Sequence, residues 1–580
     1  MPIHNADIAA AFNEIADRLE IEAANPFRVR AYRNAARMVG ELGRSVRTMI
    51  EQGADLDALP GVGPDLAGKM REIVATGTCA LLERLRKELP PAITELLAVP
   101  GIGPKRARAL HHELDVQTVE QLHQAAQQGR IRTLPGFGPK TELQVLNATT
   151  AHLNPRQPQR FKRVVAEAVA ESLLAWLRSV PGVLRAEAAG SLRRMRDTVG
   201  DLDLLVTVRK GSPVMERFVG YEDVHHVLAQ GPTRASVVLK SGMQVDLRAV
   251  PGESFGAAWV YFTGSKAHNI ALRRLAQDQG LKINEYGVYR GAEGEAERVA
   301  GETEASVYRA VGLSLIEPEL REDRGELEAA RHRRLPVLLQ RADLQGDLHV
   351  HTRDSDGHDS IEAMAEAARA QGLAYIAITD HSRRLAVTHG LDPVRLAQQI
   401  DRIDRINERL QGFTVLKGIE VDILEDGTLD LPDSILQRLD LVVGAVHQRF
   451  DLTRARQTDR LLRAMGQRYF SILAHPTGRL IGEREPYEVD LLRVLRHARQ
   501  RGCFVELNAQ PARLDLDDQA CQMAKAEGVL VSLNSDAHSV LDYDDLRHGV
   551  GQARRGWLEK ADVLNTRPLA ELRPLLARTM

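Results

Sequence analysis

The chain has 580 residues, 43% hydrophobic and 27% charged, with a net charge of −2. At roughly 150 residues per domain this predicts about three to five domains of ordinary globular composition. No apolar run is long enough to span a bilayer, the opening MPIHNADIAAAFNEIADRLE reads as an amphipathic helix and not a signal peptide, and three scattered cysteines (Cys79, Cys503, Cys521) exclude a disulfide framework or a zinc ribbon. A cytoplasmic protein without a membrane partner is expected.

Residues 6 to about 155 carry helical periodicity broken by Gly/Pro turns. Lys+Arg and Asp+Glu are equal in number over 1–155, so bulk charge gives no sign of nucleic acid and local geometry has to. Three turns share one form: LPGVG (59–63), VPGIG (99–103) and LPGFG (134–138), each ahead of a helix-like stretch. Gly61, Gly63, Gly101, Gly103, Gly136 and Gly138 allow a tight backbone and close approach. N–H groups at a helix N-terminus suit an anion, and on DNA that anion is a backbone phosphate, bound without reading sequence. One copy would be a plain turn between helices. Three copies, two of them followed by Pro-Lys (Lys105 and Lys140), resemble helix-hairpin-helix DNA-binding motifs.

Residues 161–179 read as one long amphipathic helix, and strand-like runs follow: DLDLLVTV (201–208), SVVLKSG (236–242) and MQVDLRAV (243–250). Asp201 and Asp203 alternate, so both carboxylates face one side, while Leu202, Leu204 and Val206 face a core. Asp246 lies on a later strand that could pair alongside. Three carboxylates on adjacent strands suit two hard divalent cations, as phosphoryl transfer requires. Gly190-Ser191 offers a tight turn for a triphosphate, with Arg194 as a charge partner. An exposed acidic turn is the alternative, but it would not bury the aliphatic residues between its acids.

YFTGSKAHN (261–269) and INEYGVYR (283–290) resemble the nucleotide-binding and thumb segments of family X DNA polymerases, the group of DNA polymerase beta. That resemblance implies Mg²⁺ or Mn²⁺ held by Asp201, Asp203 and Asp246, and β/γ-phosphates on Gly190, Ser191 and Arg194. It also implies a sugar packed against Tyr261 and Phe262 beside Gly264 and Lys266, with Asn269 and Arg273 at the minor groove. The chain departs from the beta enzyme at Lys266, where that enzyme has an acid, and at Gln244, where it has Arg. LPGVGPDLAGKMREIVATG (59–77) resembles that family's lyase hairpin, which puts Lys69 in the Schiff-base position and Tyr32 in a supporting one. Such a lysine must be deprotonated to attack; Arg28, Arg30, Arg33 and Arg71 are candidates to supply that bias and a 5′-phosphate grip, while Asp65 and Phe27 replace a Lys and a His of the beta enzyme. A surface or phosphate-contacting Lys69 is the plainer reading.

Residues 317–340, bounded by Pro318 and Pro336, read as a charged linker helix. From 346 onward strands alternate with helices, as in a parallel α/β architecture. GDLHVHTRDSDG (346–357) sets His349 and His351 on one strand face. Further strand-like runs close on His381, Glu420, His447, His475, and Asp536 with His538, and another ends in Glu506 and Asn508, giving seven strand–helix units. Strand C-termini of a (β/α) barrel converge, so these residues are expected to form a metal site. The pattern resembles a PHP (polymerase and histidinol phosphatase) domain. The resemblance implies a three-metal site on His349, His351, Asp356, His381, Glu420, His447, His475, Asp536 and His538. Zn²⁺, Mn²⁺ or Fe suit such mixed donors.

The expected fold is therefore multidomain: a helical helix-hairpin-helix region, an α+β nucleotidyltransferase palm with a small α/β thumb, and a distorted (β/α)7 barrel. Expected boundaries are 1–88 (lyase-like), 89–155 (fingers), 156–255 (palm), 256–318 (thumb), 319–340 (linker) and 341–580 (PHP). The expected function is gap-filling DNA synthesis in base excision or end-joining repair, by a monomer using gapped or primer–template DNA and dNTPs. The barrel adds 3′→5′ exonuclease activity, with abasic-site or 3′-phosphate cleavage as further options. The alternatives are a small-molecule phosphatase with a DNA-tethering module, and a non-catalytic DNA-end scaffold.

Overall fold

A computed structural model describes every residue except 1, 2, 4, 23, 42–45, 60, 89–95, 97, 98, 100, 101, 135, 136, 139, 140, 143, 144, 147, 150–159, 292–296 and 385–387. The chain divides into two units, Met1–Pro158 and Gln159–Met580.

The first unit is helical. Asn5–Ile21, Pro26–Glu41, Pro64–Thr76 and Ala80–Glu88 enclose Phe12, Tyr32 and Met70, all at most 1% exposed. Pro104–Leu114 and Val119–Gln127 pack around Leu110 and Leu122 in a second small core. The three glycine turns share one hydrogen bond among their described residues. The N–H groups of Val62, Ile102 and Phe137 each donate to the carbonyl three residues earlier, at 3.0 Å. Each of these apolar side chains is buried, which anchors the turn, and Gly61, Gly63 and Gly103 are exposed.

The second unit opens with a five-stranded sheet. Its spatial order is Val183–Ala188, Asp201–Val208, Gln244–Ala249, Arg234–Leu239, Val224–Gln230. The first and last of these strands carry no clean alternation and are not expected from the sequence. The long helix runs Arg163–Ser179; it starts two residues later than expected because Phe161–Lys162 pairs with Thr198–Val199. A three-stranded antiparallel sheet (Leu281–Asn284, Gly287–Arg290, Glu297–Ala300) follows, packed by helices Phe255–Thr263 and Lys266–Asp278.

The expected linker helix over 317–340 is corrected. Only Pro318–Leu320 (3-10) and Glu326–Arg331 are helical, and Leu320, Ala330 and Leu338 join the core that holds Tyr308. Charge there does not mean solvation: Arg321 and Glu326 are fully buried. Arg321 donates to the Ile316 carbonyl and to Glu304, and Glu326 accepts from the N–H groups of Asp323 and Arg324.

From 346 the strands are all parallel, in a three-stranded and a five-stranded sheet. The expected single strand around VLKGIEV splits into Thr414–Lys417 and Glu420–Asp422. A Cβ on Gly418 would sit 2.9 Å from the Ile378 carbonyl oxygen, so the backbone crosses close there and the run breaks. Bridges His381–Glu420 and Val350–Ala537 join the two sheets on both sides and close the ring, a distorted barrel.

Candidate active sites

Gly63 and Gly103 are the N-caps of Pro64–Thr76 and Pro104–Leu114, with proline next and no side-chain cap. Neither cap residue has a side chain to offer the first helical N–H groups. A Cβ built on Gly61, Gly63, Gly103 or Gly138 would meet no described atom within 4 Å. Internal packing does not require glycine at Gly63 or Gly103, and the space stays open to an approaching ligand backbone. Gly101, Gly136 and Lys140 lie outside the described residues, as does the Lys105 side chain.

Lys69 is ion-paired with Asp65, one helical turn earlier. Burial disfavours its charge, but Asp65 and Tyr32 outweigh that and hold its pKa above the ordinary lysine value. That is the wrong direction for a free nucleophile. Arg33 is already paired with Asp17 and Glu20, Arg71 lies 3.9 Å from Asp57, and Arg30 stacks over the exposed Phe27 ring. The cations expected to depress the lysine are therefore partly occupied.

In the sheet, Asp201–Val208 and Gln244–Ala249 run parallel and Asp203 pairs directly with Asp246. Asp201, Asp203 and Asp246 thus share a face, while Leu202, Leu204 and Val206 are at most 1% exposed on the other. Among the described residues the three carboxylates do not form a group whose oxygens all lie within 4.8 Å. Burial, then repulsion from Asp201 and Asp246, pushes the Asp203 carboxyl up to about 7. This surplus of negative charge is what a divalent cation would neutralise. Asp246 accepts from Ser236 and, at 2.8 Å, from the Gln244 amide, so the departure at Gln244 orients a carboxylate. A Cβ on Gly190 would lie 2.3 Å from Asp203 Oδ2, and its φ is +64°. Close approach to the acid, as well as turn geometry, fixes glycine here.

Ser191 sits in the short helix Gly190–Arg193. Arg194 is only 13% exposed; its Nε lies 3.1 Å from Glu322 and it also donates to the Thr263 carbonyl. Nothing in the local sequence announces Glu322 as its partner. Tyr261 and Phe262 end the helix Phe255–Thr263, with Arg248 over the Phe262 ring at 4.3 Å. Gly264 has φ +71°, and a Cβ there would lie 3.2 Å from the Arg194 guanidinium. Lys266 starts the next helix; Asn269 donates to the Tyr261 carbonyl at 2.6 Å and Arg273 to the Asn269 carbonyl at 3.3 Å.

The barrel brings all nine expected ligands to its strand C-termini. Three groups have donor atoms within 4.8 Å of one another: His351, Asp356, His381 and His538; His349, His351 and Asp536; and His381, Glu420 and His447. His475 stands outside these groups, yet its Nε2 is 3.1 Å from Glu420 Oε1. His349 Nε2, both nitrogens of His351 and Glu420 Oε2 are buried without hydrogen-bond partners among the described residues. Burial opposes charge on His381 and His447, but Glu420 together with Asp356 at the first and Asp422 at the second outweighs it and holds them up to about 10 and about 9. The acids demand positive charge at the centre, so the donor set fits metal cations.

Two orienting carboxylates were not assigned from sequence. Glu506 Oε1 lies 2.7 Å from His349 Nδ1, and Asp422 Oδ1 lies 2.7 Å from His447 Nδ1. Each fixes a ring so that its other nitrogen faces the centre. The signal for Asp422 was its alternation with Glu420; Glu506 was visible only as a strand end.

Family models match in chain order: a helix-hairpin-helix domain over residues 3–79, a SAM-like helix-hairpin-helix tandem over 93–149, the DNA polymerase beta thumb over 258–322 and the PHP domain over 347–510. Over 578 residues the chain is 38% identical to "DNA polymerase/3′-5′ exonuclease PolX" of Bacillus subtilis, covering 99% of this chain and 100% of that one. A probable phosphatase of Thermoanaerobacter sp. is 29% identical over 38% of this chain and 89% of its own. DNA polymerase lambda of Rattus norvegicus is 26% identical over 46% of this chain and 48% of its own. With a relative matched end to end and the hairpin, thumb and barrel models falling in order, the chain belongs to the family X DNA polymerases that carry a C-terminal PHP domain.

Proposed function

We propose that the chain adds deoxynucleotides to primer ends in short DNA gaps, in base excision or end-joining repair, and that its barrel removes 3′-terminal nucleotides. The observation that carries this reading is the Asp203–Asp246 pairing on parallel strands beside Gly190, in a chain related end to end to a named polymerase/exonuclease. Asp201, Asp203 and Asp246 would hold Mg²⁺ or Mn²⁺, and the nine barrel ligands Zn²⁺, Mn²⁺ or Fe. When bound, such ions polarise attacking and leaving oxygens and offset phosphate charge.

The chain's own residues do the rest. The Gly190–Ser191 turn and Arg194 receive the triphosphate. Tyr261 and Phe262 pack on the sugar and disfavour a ribose. Asn269 and Arg273 meet the minor groove, and the hairpin glycines meet backbone phosphate. In the barrel, Glu506 and Asp422 fix the His349 and His447 rings so that their free nitrogens stay aimed at the centre. A lyase step at Lys69 would have to overcome Asp65 and Tyr32, which favour the protonated amine. A cytoplasmic monomer is part of the proposal; among the described residues no helix is long and apolar enough to cross a membrane. The barrel's likeness to a probable phosphatase favours a second reading, in which it cleaves 3′-phosphates or small phosphomonoesters.

A labelled primer–template, incubated with and without dNTPs, separates the readings. Asp203→Ala is expected to lose extension and keep shortening, and His351→Ala the reverse. Loss of both activities in Asp203→Ala defeats the two-site reading.

A further inference from the structure

The loop that follows the triphosphate turn is held from the barrel side. Arg555 ends the helix Leu546–Arg555 and is 2% exposed. Its guanidinium donates to the Arg194 carbonyl at 2.6 Å and to Glu322 Oε1 at 2.9 Å. That same Glu322 oxygen lies 3.1 Å from Arg194 Nε. Asp518, on the helix Asp518–Glu527, accepts from Arg555 at 2.5 Å and from Arg324 at 3.0 Å. Neighbouring contacts act on the same loop: Arg163 bridges the Met195 and His548 carbonyls, each at 3.0 Å, and Arg479 pairs with Asp197 at 3.2 Å. Arg555 and Arg479 are far from this loop in sequence, and neither belongs to the barrel's ligand set.

We infer that Arg555 is a positioning residue for nucleotide addition: from the barrel it fixes the Arg194 backbone and, through Glu322, the Arg194 guanidinium. The inference rests on the polymerase reading above. Its physical basis is that Arg194 and Glu322 are both largely buried, so without Arg555 Glu322 keeps only Arg194 as a close partner, with Arg196 more distant at 4.0 Å. Arg194 is then drawn closer to Glu322 and away from an incoming phosphate. The barrel is in this sense a structural part of the synthesis site as well as a site of its own.

The test uses the full-length chain on gapped DNA. Arg555→Ala is expected to raise the dNTP KM on the order of tenfold, the scale of one charge-assisted hydrogen bond, with kcat changed less. KM for DNA and the rate of single-strand shortening should be unchanged. Arg555→Lys keeps the charge but not the fork, and should fall between. In an Arg194→Ala background Arg555→Ala should raise the dNTP KM no further. If Arg555→Ala does not fold, Asp518→Asn removes the same brace more gently and should show the same KM-weighted effect. An unchanged dNTP KM, an equal loss of shortening, or full additivity with Arg194→Ala overturns the proposal. A wild-type chain that extends no primer overturns instead the polymerase reading on which it rests.

Discussion

Asp203→Asn should stabilise the metal-free protein while ending synthesis. The folded chain holds the Asp203 carboxyl at about 7 against an ordinary 3.8, chiefly through burial and then through Asp201 and Asp246. At about 1.4 kcal/mol per tenfold change in proton affinity, keeping that group ionised above pH 7 costs the fold about 4 kcal/mol. Asparagine has the same shape without the charge; a shortfall of about 1–2 kcal/mol for its imperfectly paired amide leaves a net gain of about 2–3 kcal/mol. Between the unfolded and folded values the folded state binds the extra proton, so wild-type stability falls as pH rises through that window. The advantage of the variant is therefore full above about pH 7 and close to zero near pH 5, and below the unfolded value near 3.8 the amide shortfall of about 1–2 kcal/mol leaves the variant the less stable protein. Urea unfolding in EDTA, followed by tryptophan fluorescence (Trp176 and Trp259 flank the sheet), measures this as a difference between two proteins. In that difference the titrating groups that do not interact with Asp203 cancel. A variant that is destabilised at pH 8, or whose advantage does not shrink on acidification, would refute the reasoning.

Gly190→Ala pushes a methyl to within 2.3 Å of Asp203 Oδ2; nucleotide addition should fall on the order of a hundredfold with shortening intact, and near-normal extension would mean the turn is not part of the site. Glu506→Gln weakens the orientation of His349 and should cost about 10–100-fold in metal affinity, read as metal lost on dialysis against a graded chelator; unchanged retention would remove Glu506 from the account. Because Asp65 holds the Lys69 proton, Asp65→Ala should increase borohydride-trapped adduct on 5′-deoxyribose-phosphate DNA near neutral pH and Lys69→Ala should abolish it; an adduct that survives in Lys69→Ala puts the nucleophile elsewhere. DNA affinity should fall linearly in log–log form with salt, and Gly63→Val with Gly103→Val should lower it with circular dichroism unchanged, since open space surrounds both glycines; equal affinity would take these turns out of DNA binding.

Much of the chemistry was legible in short runs of sequence, because periodicity within one element decides which side chains share a face. The alternation of Asp201 and Asp203 with buried aliphatics, the thrice-repeated glycine turn and the histidines closing successive strands are all of that local kind. So, in retrospect, was the Asp65–Lys69 pair, one helical turn apart. Periodicity carries no information about which element lies alongside. That Asp246 stands directly opposite Asp203 follows from strand pairing, and that Glu506 sets the His349 ring follows from barrel closure, which brings together two strands of different sheets. Charge in 317–340 reads as a linker helix because composition records which groups are present and not whether they are paired. Only the folded chain, by burying Arg321 against Glu304 and setting Glu322 between Arg194 and Arg555, gives those charges partners from distant segments. A buried ion pair is stable only when its partner arrives with the fold, so those contacts were decided by tertiary structure alone.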